Sequence, residues 1–273
     1  MNHRTLLFTL VCFFLASTLN AQTNDLIKSG RSNKIGITDQ ALIDKLMKTM
    51  PRVGSNAKDL LLKQSIKPYM MPVRELGIRG TEMSYALAIC LEYYINLESN
   101  YKANLSPDFI ALSLKNAGKK GTMADGLEFL TTQGTVSAAI LPYDAGMLTN
   151  AVYATQKYKI NNYLQMFRAL TKPRQKVFET RKALMRGNPV IAEVEVGDKI
   201  KAFNNKRFWN NSAGDGQSKV YPLIVVGYDE DQQAFEVMST WGSKWGNDGY
   251  LWIRYDDFGK MTQNAFVMVP EEY

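Results

Sequence analysis

Apolar residues recur at helical spacing through the first half of this chain and in short, dense runs through the second. From Met83 to Leu97, the residues Leu87, Leu91, Tyr94 and Ile95 fall on one stripe, which predicts a helix facing a core; Thr81 and Glu82 open it. Ser106 followed by Pro107 is an N-cap with proline at the first helical position, and Phe109, Ile110, Leu112 and Leu114 continue that helix. Thr122 and Asp125 form a T-x-x-D capping box for a third helix, which Gly134 stops. A fourth runs from about Arg174 to Arg186 and closes at Gly187. Upstream, Thr38 and Asp39 start a short helix carrying Leu42, Leu46 and Met47, and Pro51 ends it. Five β-rich runs follow the fourth helix: Pro189–Val196, Val220–Tyr228, Ala234–Ser239, Gly249–Arg254 and Asn264–Val269. Turn residues separate them, as in an antiparallel sheet or a partly closed barrel. Helices first and strands second predict an α+β protein with two segregated halves.

The N-terminus follows a different pattern. Arg4 precedes an apolar run of about 11 residues, Leu6 to Ala16, and small or polar residues continue to Ala21. That length suits the core of a secretory signal peptide, about 7–15 residues, and falls short of the roughly 20 that cross a bilayer. Residues 1–21 are therefore expected to be a cleaved leader, with Gln22 as the new N-terminus and a periplasmic or extracellular destination. No second apolar run has membrane length, so no membrane span is expected. Residues 22–60 read as an N-terminal extension, either propeptide-like or packed on a main domain over 61–273.

Composition narrows the chemistry. The chain holds one histidine, His3, and two cysteines, Cys12 and Cys90. Loss of the leader removes His3 and Cys12, leaving no imidazole and no partner for an intramolecular disulfide. Without histidine, no ordinary side chain titrates near neutrality unless its pKa is strongly shifted. Zinc is not expected with no histidine and one buried cysteine, and no phosphate loop, dinucleotide fingerprint or H-E-x-x-H sequence is present, so neither metal nor cofactor is expected. The formal net charge of +7 is spread among charges of both signs, with Lys119-Lys120 the longest basic cluster beside the expected cleft. This describes a mildly cationic surface and no nucleic-acid binder.

Three segments stand out: Lys67 through Ala86, KPYMMPVRELGIRGTEMSYA; Leu105 through Gly134, ending in Leu141-Pro142-Tyr143-Asp144; and Val225-Val226-Gly227-Tyr228-Asp229 followed by Ser239 through Tyr250, STWGSKWGNDGY. In this order they resemble the papain-like cysteine peptidase family in its bacterial secreted branch. The first is similar to the P-V-x-x-Q-G-x-x-G-S-C-x-A-F-A segment that opens the family's central helix, and the third to its V-G-Y-D and N-S-W-G-x-x-W-G-x-x-G-Y run. The resemblance spans about residues 64–269. It implies a papain-like fold: a helical left subdomain over about 72–165, a β-barrel-like right subdomain over about 60–71 and 166–269, and a cleft between them along the helix that starts at Glu82.

The family's chemistry uses a cysteine thiolate at a helix N-terminus, a histidine, an orienting asparagine and a glutamine that donates to the oxyanion. Carried over position by position, the nucleophile's place falls on Glu82, the base's on Tyr221, the asparagine's on Ser239 and the glutamine's on Leu76. None retains the family's side chain. Cys90 lies more than two helical turns beyond Glu82 on a stripe that reads as core, so it cannot take the nucleophile's place. The resemblance therefore implies a chain that is not an enzyme but holds a peptide or protein in an inherited cleft. Glu82, Tyr221, Trp241, Trp245 and Gly121 are the candidate ligand-binding residues. Glu82 and Tyr221 are expected to hydrogen-bond across the cleft, with Arg79 as the competing partner of Glu82. Trp241 and Trp245 either floor a groove or pack beneath a loop. Two other readings stay open: an enzyme of changed mechanism using Glu82, and a structural or inhibitory protein with a filled cleft. The sequence does not specify an oligomeric state.

Overall fold

The computed structural model describes residues 34–57, 61–99, 102–210 and 216–271. The leader segment lies outside them. Among the described residues, six α-helices, α1 (Gln40–Leu46), α2 (Glu82–Glu98), α3 (Pro107–Asn116), α4 (Met123–Thr132), α5 (Pro173–Met185) and α6 (Tyr255–Met261), combine with seven strands. The strands are β1 (Lys63–Ser65), β2 (Ile160–Phe167), β3 (Val190–Gly197), β4 (Ser218–Asp229), β5 (Ala234–Met238), β6 (Tyr250–Arg254) and β7 (Thr262–Pro270).

Local chemistry sets the helix starts. Thr81 and Ser84 exchange side-chain and backbone hydrogen bonds in a capping box at α2, Thr122 and Asp125 do so at α4, and the Ser106 hydroxyl accepts from Phe109 N at α3. Each cap satisfies backbone N–H groups that a helix's first turn leaves unpaired.

The strands form one antiparallel sheet in the order β2-β7-β3-β4-β5-β6, with β1 paired to β4. Alternation assigns its two faces. Leu223 and Val225 of β4, Ala192 and Val194 of β3, and Val267 and Val269 of β7 pack with α5, α6 and Trp245. Ile224 and Val226, Ile191, and Phe266 and Met268, one position along on the same strands, pack with α2, α3 and α4. Successive side chains point to opposite faces of a strand, so both faces are buried and the runs are almost wholly apolar. The helical layer α2–α4 covers one face and α5–α6 the other; the fold is α+β.

Three elements depart from the sequence reading: the three-residue β1, strand β2 and helix α6. Strand β2 begins inside the range expected for the helical half, so that half ends earlier than the expected residue 165. Its alternation is disguised by Asn162, which points inward. Asn162 is fully buried, and its side-chain oxygen accepts from Gly36 N at 2.9 Å while its amide donates to Lys34 O at 2.9 Å. These bonds, the bridge from Ile37 to Leu164 and the burial of Ile43 and Leu46 pack the described part of the N-terminal extension onto the sheet. Helix α6 is a seven-residue turn wedged between β6 and β7, too short to show a helical period.

Candidate functional site

The site lies where the N-terminus of α2 meets the sheet layer. The segment before α2 is pinned there by its backbone: Leu76 N donates to Thr240 O at 2.8 Å and Gly242 N to Arg74 O at 3.2 Å. This lays Leu76 beside the loop that follows β5, and the capping box then sets Glu82 as the first residue of α2.

Glu82 does not pair with Tyr221. Its carboxylate accepts from the Lys201 ammonium, which projects from the short 3-10 helix Asp198–Ala202 that follows β3. The same ammonium lies 5.0 Å from the centre of the Tyr221 ring and 6.0 Å from that of Trp241, within the reach of cation–π attraction. Tyr221 and Trp241 meet edge to face at 5.5 Å between centroids, and Trp241 meets Trp245 at 5.3 Å. Arg79, the expected competitor, is engaged elsewhere: its guanidinium donates to the Asp144 carbonyl oxygen at 2.6 Å. Glu82's choice of partner has a simple cause. A carboxylate beside a phenol gains one neutral-partner hydrogen bond, whereas an ammonium within reach adds charge to the bond.

Half-burial pushes the Glu82 carboxyl upward, but hydrogen bonds from Lys201 and from its own backbone N–H, with the Lys201 charge, outweigh that and hold it below the ordinary glutamate value. Tyr221 is buried on β4, and its phenol is pushed above the ordinary tyrosine value by that burial, against the opposing charge of Lys201. At neutral pH Glu82 is thus a carboxylate and Tyr221 a neutral phenol.

The other candidates divide. Trp241 is half-buried and borders the cluster. Trp245 is fully buried and its indole N–H donates to Ile200 O at 2.7 Å, so it packs beneath the Lys201 turn and does not face a groove. Ser239 is buried, its hydroxyl accepting from Trp241 N at 3.2 Å, so it shapes the loop that presents the indole. Gly121 has φ +72° and open space where a side chain would begin; it lines a groove of about 600 Å³ together with Thr81 and Met83, the neighbours of Glu82. Cys90 sits in the core under α2, and burial pushes its thiol well above the ordinary cysteine value. Lys201 was invisible to sequence reasoning: it lies in the run Asp198-Lys199-Ile200-Lys201, which carries no motif, and meets Glu82 across 119 positions. Among the described residues, no group of three or more His, Cys, Asp or Glu could hold a metal ion, and no helix is long and apolar enough to cross a membrane.

Residues 68–269 match the family described as "Papain family cysteine protease". The chain is 27% identical over 234 residues to the cathepsin L-like proteinase of Phaedon cochleariae, covering 79% of this chain and 69% of that protein. It is 24% identical over 220 residues to falcipain-2a of Plasmodium falciparum, covering 73% of this chain but only 43% of the relative, so it spans less than half of that protein. Its fold is similar to that of xylellain, a cysteine protease from Xylella fastidiosa, with a TM-score of 0.62 at 19% identity over 90% of this chain and 97% of that one. These matches overturn the expectation that the chain is not an enzyme. The family and these relatives are proteases, and the four replaced positions describe which side chains are present, not an absence of catalysis.

Proposed function

This chain belongs to the papain family of cysteine proteases, and from that premise we propose that, after export through residues 1–21, it binds a peptide or protein segment across the head of α2, where that helix meets the sheet layer. The observation that carries this reading is the cluster of Glu82, Lys201, Tyr221 and Trp241. One opposite-charge pair and two aromatic faces stand together at the start of α2. Such a cluster offers a peptide an acceptor, a donor and an apolar wall within one side chain's reach. Gly121 adds backbone that no side chain shields.

The same cluster supports a second reading. Glu82 is held ionised by Lys201 near a neutral phenol; the lowered value makes it a weak base, so in this reading its carboxylate acts as a nucleophile or by its charge. Any hydrolysis would then proceed through a carboxylate, since position 82 carries no thiol.

Both readings are tested by incubating the purified chain lacking residues 1–21 with a peptide library at neutral pH, scoring retention and cleavage separately. Sequence-selective retention that falls on Trp241→Ala is expected. A library from which nothing is retained overturns the binding proposal. Cleavage abolished by Glu82→Gln would favour the second reading.

A further inference from the structure

The groove that Gly121 lines has a one-sided charge. Its cationic residues are Arg79, Lys115, Lys119 and Lys120, and no carboxylate lines it. Lys115, Lys119 and Lys120 are exposed on the last turn of α3 and the bend leading to α4. Three carboxylates stand near the groove but outside its lining. Asp125, which faces Lys119, accepts from the Thr122 N–H and hydroxyl at the α4 cap. Asp144 accepts from the Arg79 backbone N–H, and Glu82 is bound to Lys201. Between the cations the wall is apolar, with Met83, Leu112 and Leu114 along it and Ile78 at the rim, 96% exposed.

We infer that this groove receives an acidic peptide segment, one that alternates carboxylate and apolar side chains, as the occupant of the cleft. This rests on the peptide-binding reading and names its ligand class. Charge complementarity argues for it: several cations around a concave, partly apolar surface favour a ligand of opposite sign, both in the encounter and in the bound state. Gly118 and Gly121, both at positive φ, bracket the Lys119-Lys120 pair in the bend between α3 and α4, and the missing side chain at Gly121 leaves its backbone open to an extended partner.

The test uses three fluorescein-labelled octapeptides with the same leucine spacing. Their remaining positions are Asp and Glu in the first, Asn and Gln in the second, and Lys and Arg in the third. Binding is followed by anisotropy with the chain lacking residues 1–21 and with its Lys115→Gln, Lys119→Gln, Lys120→Gln variant, whose exposed positions leave the fold intact, as checked by circular dichroism. The acidic peptide is expected to bind about tenfold more tightly than the neutral one, as a few exposed ion pairs would produce. The basic peptide should bind most weakly, and the preference should shrink as salt is added and vanish in the triple variant. Equal binding of acidic and neutral peptides, or a preference that survives in the triple variant, overturns this inference while leaving peptide binding in place. Failure of all three peptides to bind overturns both.

Discussion

At position 82 a glutamate meets an ammonium, and the strength of that contact is set by its exposure. The Glu82 and Lys201 side chains are 22% and 45% exposed, so solvent screens the pair and its contribution is about 0.2–1 kcal/mol. A double-mutant cycle with Glu82→Ala and Lys201→Ala, followed by urea denaturation, should return a coupling in that range that falls with salt. Glu92, buried one layer deeper, behaves in the opposite way. Burial pushes its carboxyl up to about 7 despite the Arg74 guanidinium at 2.8 Å and the hydrogen bond from Leu105 N. A carboxyl that holds its proton more tightly when folded stabilises the fold at low pH. That contribution is complete below the ordinary glutamate value and is lost as pH rises toward 7. The melting temperature should therefore drop more steeply between about pH 5 and about pH 8 in the parent chain than in Glu92→Gln, and parallel curves would refute it.

Elements were legible wherever their punctuation is local. Thr81, Ser106 and Thr122 each cap the helix that the sequence assigns to them, because a cap is made by residues within one turn. Thr81→Ala should cost about 1 kcal/mol in urea denaturation. It should also weaken peptide retention, since the cap fixes where Glu82 begins α2. Strand β2 escaped detection because a buried asparagine occupies an inward position, and its reason for being there, the backbone of residues 34–36, lies more than a hundred positions away. Lys201 was hidden for the same kind of reason. An ion pair closed only by tertiary structure leaves no period and no motif in the chain, so the site's cation could be found only in three dimensions.

On the scale of the whole molecule, a sheet buried on both faces carries the site from one side, while α2, packed on that sheet, presents Glu82 from the other. The V-G-Y and W-G-x-x-W-G segments announced this frame, since they build β4 and the loop after β5 that carries Trp241. The frame alone left the chemistry at position 82 open. On the proposed function, peptide is held by the cluster of Lys201, Tyr221 and Trp241 at the head of α2. The most direct measurement is the affinity of one library-selected peptide for the parent chain, for Tyr221→Ala and for Trp241→Ala, with folding of each variant verified by circular dichroism. Losses of about tenfold or more in both folded variants are predicted, as for truncation of aromatic anchors at the centre of an interface. Affinity unchanged in both would contradict the claim and put the binding surface elsewhere.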